Sequence, residues 1–188
     1  MNTDSNIKNS SFWIIKAYPF AVFLIAMALN YSLGIEPFYL SIPSKEIFTL
    51  IACSAIGLVI NHSWIMTVTE LTRNRFKIYA SPEEWVSSGL NRSEITEQGS
   101  FEIDRCLNTH RNTTENVVYY ILLVFVFSFA SPSQLAVWAW VLTFPLARIG
   151  YTYSYFTGRD NTRGIFMTLT LLSLYGMAGY LAASLILK

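Results

Sequence analysis

Five apolar runs, each read as a candidate bilayer crossing, constrain this 188-residue chain more than any other feature. A spanning helix needs about 20 mostly apolar residues, because lipid offers no partner to an exposed backbone N–H or C=O. The first run is Ala17–Leu33, with Phe12–Ile15 just before it and Pro19 tolerable near its start. The second is Ile47–Val68, bounded by Lys45 and Glu46 on one side and Glu70 on the other. The third extends from about Asn116 to Ala130 and stops at Ser131-Pro132-Ser133; the fourth is Gln134–Phe156 and the fifth Ile165–Leu187. Lys8 and Lys16 precede the first run, but it is long and no small-residue cleavage site follows it. It is therefore expected to be a retained helix and not a signal peptide.

Composition agrees with an all-α integral membrane protein. Hydrophobic residues make up 53% of the chain and charged residues 13%, against roughly 25% charged in average globular domains. The 11 Tyr and 5 Trp suit two membrane–water interfaces. A net charge of +1 argues against a nucleic-acid partner. Cys53 and Cys106 are too few and too differently placed for a disulfide framework or a metal site. With five spans, the N-terminus, the polar Arg73–Arg111 stretch and the Gly158–Gly164 loop share one face. Ten of the 13 basic residues lie on or near it; Lys45 and Lys188 lie on the other, and Arg148 is inside the fourth span. The excess of basic residues makes that face cytoplasmic. A four-span reading would move the N-terminus to the other face and change little else.

An ionisable group at the bilayer centre costs roughly 2.5–3.5 kcal/mol on insertion scales, so polar residues inside spans point to function. Two groups stand out. If the third helix has already begun, Asn108, Arg111, Asn112, Glu115 and Tyr119 fall on one stripe, with Arg111 and Glu115 close enough to touch. On the fourth span Arg148, Tyr151 and Tyr155 form a second stripe, followed by Arg159 and by Arg163 at the start of the fifth helix, where the helix dipole favours an anion. With Arg73 at the end of the second span, these groups can converge at the cytoplasmic ends of four helices. Their chemistry suits a small acidic ligand that also carries an amine. His110 reads either as a base or as a hydrogen-bonded structural group. No Ser-His-Asp set, paired carboxylate site or metal-ligand cluster is visible.

The residues Arg105-Cys106-Leu107, His110-Arg111-Asn112 and Glu115 closely resemble the signature of the MAPEG family, the membrane-associated proteins in eicosanoid and glutathione metabolism. The likeness is greatest to its microsomal prostaglandin E synthase and glutathione transferase branch. Phe125–Phe129, Ala147-Arg148 with Tyr151 and Tyr155, Arg159 with Arg163, and Ala80-Ser81-Pro82-Glu83-Glu84 resemble further family segments. The resemblance covers 46–188. It implies a four-helix transmembrane unit, a homotrimer, and glutathione bound between subunits at the cytoplasmic ends of the helices. Residues 1–45, with the first span, have no family counterpart and stand as an additional transmembrane helix.

By this resemblance Arg73, Arg111, Asn112, Glu115, Tyr151, Tyr155 and Arg163 bind glutathione, with His110 beside them, and Arg163 and Tyr151 activate its thiol. The implied activity is that of a membrane-bound glutathione transferase acting on a lipophilic electrophile, with reduction of lipid hydroperoxides as a second reaction. The membrane would be a bacterial inner membrane or the endoplasmic reticulum. Gly164 stands where the prostaglandin E synthases carry serine, Met167 at a family tyrosine and Asn108 at a family arginine. Tyr151 is histidine in prostaglandin E synthase and tyrosine in leukotriene C synthase. These differences favour general conjugation or peroxide reduction over a prostaglandin isomerase. The alternative is a non-catalytic lipid-binding protein like the five-lipoxygenase-activating protein, against which the retained Arg111, Asn112, Glu115 and Arg163 argue.

Overall fold

The computed structural model describes residues 3–187, with side chains from residue 12 onward, so Lys188 lies outside the described residues. The elements are α1 (Thr3–Leu33), α2 (Lys45–Phe76), α3 (Pro82–Ser88), a 3-10 turn at Arg92–Glu94, α4 (Glu97–Phe129), α5 (Gln134–Phe156) and α6 (Asp160–Ile186). Among the described residues there is no strand. Side-chain caps set the helix starts: Ser44 accepts from the Ile47 N–H, Thr96 from Gly99 and Ser133 from Ala136. α2 ends at Lys77, which adopts the left-handed conformation (φ 53°) and returns its N–H to the carbonyls of Arg73 and Asn74.

By length and composition α1, α2, α4 and α6 are each apolar enough to cross a membrane. α5 has a comparable length of 23 residues, with the bounds expected from sequence, and carries Arg148 and Pro145 within it. It can carry them because it packs between α2 and α6. Small residues allow that closeness. A Cβ at Gly150 would run into the Phe166 ring, and one at Gly176 into Trp140. α2, α4 and α5 are tied by a buried knot in which Tyr120 stacks on Phe144 at 4.1 Å and donates to Ser54 Oγ (2.8 Å). Ser54 in turn donates to the Val141 carbonyl (2.6 Å).

The polar Arg73–Arg111 stretch is more ordered than a loop. α2 continues to Phe76 and α4 begins at Glu97, so most of the stretch is helical. At about 1.5 Å per residue, the 33-residue α4 exceeds a hydrocarbon core of about 30 Å by several turns. Ile78, Trp85 and Ile103, packed with Phe76, Tyr79, Leu90 and Ile95, form a small core that fixes this projecting part. Trp85 Nε1 completes it by donating to the Tyr79 carbonyl (3.0 Å).

The extra helix α1 lies against α6. Its anchor is Asn30, fully buried, which accepts from Trp140 Nε1 (2.7 Å) and donates to the Gly176 carbonyl (2.8 Å). One side chain thus serves an indole N–H of α5 and a backbone carbonyl of α6. Nearer the other end, the Tyr18 hydroxyl meets Thr168 Oγ1 at 2.7 Å. Asn30→Ala leaves a buried donor and a buried acceptor unpaired, at a cost of about 1–3 kcal/mol each. It is expected to lower the thermal midpoint in detergent by several degrees and to expose α1 to protease. An unchanged midpoint with α1 still protected would contradict this anchoring.

Candidate functional site

α2 and α5 end, and α4 and α6 begin, at the same Arg-rich end of the bundle. Behind it, inside the bundle, lies Arg148, which is 0% exposed. Its Nη2 donates to Asn112 Oδ1 (3.0 Å) and Thr113 Oγ1 (2.8 Å), both on α4. Its Nε and Nη1 have no partner among the described residues. No carboxylate faces it: the ion pairs among the described residues are Glu70–Arg73, Glu102–Arg105 and Asp160–Arg163, each within one helix turn. The guanidinium lies 4.3 Å from the centre of the Tyr151 ring, an arrangement that stabilises a cation where water is scarce.

From Arg148 the polar groups continue outward. The Tyr151 and Tyr155 rings are 5.6 Å apart, and the Arg163 guanidinium lies 4.9 Å from the Tyr155 ring centre. Spacings of three and four residues place the two tyrosines on one face of α5. Gly158, with φ 66°, then reverses the chain in a conformation glycine adopts without strain. The reversal brings Arg163, in the first turn of α6, back over Tyr155. Arg163 also pairs with Asp160 at 3.2 Å. Arg159 lies 5.4 Å from the Tyr153 ring centre instead, off this line. Beside Arg163, a Cβ on Gly164 would meet nothing within 4 Å, so the space there is open.

The structure therefore brings together Asn112, Tyr151, Tyr155 and Arg163, with Arg148 behind them. The other expected site residues lie elsewhere. Arg73 pairs with Glu70 (3.4 Å) and lines a polar cleft of about 700 Å³ with Asn74, Lys77 and Glu84. Arg111 is exposed and donates to Asn108 Oδ1 (2.8 Å). The expected contact between Arg111 and Glu115 is absent from the ion pairs among the described residues, because the shorter Asn108 side chain, one turn away, takes the guanidinium. Glu115 is exposed. His110 is turned to α2, with Nε2 3.3 Å from Met66 Sδ. Nothing in the sequence sets Thr113 apart. Among adjacent polar residues on α4, only packing decides which one meets Arg148.

The model of the MAPEG family matches residues 49–183. The chain is 31% identical over 140 residues to prostaglandin E synthase of Homo sapiens, covering 74% of this chain and 88% of that protein. It is 30% identical over 140 residues to the Macaca fascicularis protein of the same name, covering 74% and 90%. Against the Canis lupus familiaris protein it is 32% identical over 127 residues, covering 67% and 80%. These likenesses support a membrane-bound enzyme at the level of the family. The matched region takes in α5, the start of α6 and the Arg148–Arg163 line, and leaves out α1: the chain belongs to the MAPEG family.

Proposed function

We propose that the protein is a membrane glutathione transferase that holds the glutathione thiol as thiolate for attack on a lipophilic electrophile. The observation that carries this reading is the line of Arg148, Tyr151, Tyr155 and Arg163: two guanidinium groups and two phenols at the Arg-rich end, with open space beside Gly164. Glutathione has two carboxylates, one ammonium and one thiol. Arginines suit its carboxylates through paired N–H donors. Arg73 and Arg111 take that role, Asn112 binds the peptide backbone, and Glu115 faces the ammonium.

Arg163 stabilises the thiolate and the Tyr151 hydroxyl assists it, with Tyr155 holding the glutathione backbone. A thiol of pKa about 8.5 is mostly protonated at neutral pH. Lowering it by two units requires about 2.7 kcal/mol of preferential stabilisation of the thiolate. A guanidinium and a hydroxyl held against the sulfur supply that. The thiolate sulfur then forms a carbon–sulfur bond, and the leaving group departs with the electron pair of the bond that breaks.

Arg73 lies in a cleft apart from the Arg163 line, so one subunit does not surround the tripeptide with all these groups. That separation supports a homotrimer in which neighbouring subunits complete each site. The likeness to prostaglandin E synthases makes a lipid-derived acceptor, reaching the site through the bilayer, the natural second substrate.

Arg163→Ala is expected to reduce conjugation of glutathione to 1-chloro-2,4-dinitrobenzene at least about tenfold, which corresponds to about 1.4 kcal/mol of transition-state stabilisation. Unchanged turnover would refute its role, and a parent protein that binds no glutathione at millimolar concentration would favour the lipid-binding alternative. Arg148→Met removes a buried charge together with two unpaired donors, so thermal stability is expected to stay within about 1 kcal/mol of the parent or to rise. Glutathione affinity should nonetheless fall, because Asn112 and Tyr151 lose the group that holds them. A variant that loses stability without losing affinity would make Arg148 purely structural.

A further inference from the structure

Both histidines of the chain meet at one place outside the line just described, although 48 residues separate them. His62 and Met66 are one turn apart on α2, and His110 reaches them from α4. His110 Nε2 is 3.3 Å from Met66 Sδ, and the two imidazole rings are 5.3 Å apart, centre to centre, and nearly perpendicular. We propose that His62, Met66 and His110 form a binding site for a soft monovalent cation, Cu(I).

Two separations are close to those around one shared ion. Metal–nitrogen bonds of about 2.0 Å and metal–sulfur bonds of about 2.3 Å, opened to a trigonal angle, hold N and S about 3.7 Å apart. The observed separation needs to widen by only about 0.4 Å. Two imidazoles bound to the same ion through ring nitrogens have their centres about 5–5.5 Å apart, close to the separation here.

The ligand chemistry selects the ion. A thioether and two neutral imidazoles are soft to borderline donors that suit Cu(I). Among the described residues no group of three His, Cys, Asp or Glu side chains is placed to hold a metal, so the donor sets usual for zinc are missing. A set without a carboxylate leaves the ion's charge uncompensated. A single positive charge near lipid costs far less to desolvate than a double one. His62 and Met66 are exposed on the surface of the subunit. Bound there, it ties α2 to α4 next to the Arg-rich end and adds its binding free energy to the stability of the bundle.

The test uses full-length protein in detergent, without glutathione, whose thiol competes for Cu(I). Cys53, an exposed thiol, is replaced by serine. Cu(I) is offered anaerobically in competition with bicinchoninate, and Ag(I) serves as a redox-inert probe in thermal unfolding. The parent is expected to withdraw one Cu(I) per chain and to melt at higher temperature with Ag(I). His62→Gln and Met66→Leu should each weaken binding at least tenfold, and X-ray absorption should report two nitrogens and one sulfur. A parent that leaves Cu(I) with the chelator would overturn the proposal. So would a His62→Gln/Met66→Leu double variant that binds as the parent does, since that would assign the metal to Cys106. Elution volume and helical circular dichroism identify any variant that misfolds; if Met66→Leu does, His62→Gln decides.

Discussion

A guanidinium at zero exposure inside a lipid-embedded bundle is costly unless its donors are used, and among the described residues Arg148 finds partners for one of its nitrogens. Asn112 and Thr113 take that nitrogen, and the Tyr151 ring covers the group. The arrangement fixes α4 against α5 at the level where the polar groups begin. It also sets the orientation of Tyr151, and through the Tyr151–Tyr155 contact the position of Arg163. The close approach of α5 and α6 at Gly150 and Gly176 allows one short turn to bring Arg163 back over α5. A bulkier residue at either position would push the helices apart and separate Arg163 from Tyr155.

The additional helix follows a different logic. α1 gains little from apolar burial when lipid surrounds it, because lipid solvates leucine as well as another helix does. Its attachment therefore rests on close packing at Gly179, which leaves room for Met27, and on polar contacts: Asn30 to Trp140 and Gly176, and Tyr18 to Thr168. The segment after it is held the same way. The Tyr180 hydroxyl accepts from the N–H groups of Glu36 and Ser133, so one residue of α6 fixes the linker to α2 and the turn into α5 together.

Much of this was legible in the sequence. Apolar runs of the right length marked the spans, and α5 has the expected bounds because Pro132-Ser133 and Gly158 punctuate it. In the sequence the first four turns of α4 are indistinguishable from a polar loop. A helix outside lipid has no continuous apolar run, only the weaker stripe of Gly99, Ile103, Cys106 and Thr109, all buried here. The Arg148–Tyr151–Tyr155 stripe was readable because its spacing is local to one helix. What joins it across helices was not. Thr113 against Arg148, and His62 against His110, depend on helix rotation, which sequence spacing does not encode. The pairing of Arg111 with Asn108 instead of Glu115 is the same kind of miss, since several partners on a helix face satisfy the same spacing rule.

The claim that joins these observations is that the Arg-rich end lowers the pKa of a bound thiol. The most direct measurement is the ultraviolet absorbance of the thiolate of glutathione bound to detergent-purified protein, followed across pH. A bound thiol that titrates about two units below the ordinary value near 8.5, and returns toward that value in Arg163→Ala, is the result expected. Glutathione that binds but titrates at its ordinary value would contradict the account and leave the arginines as anchors for its carboxylates alone.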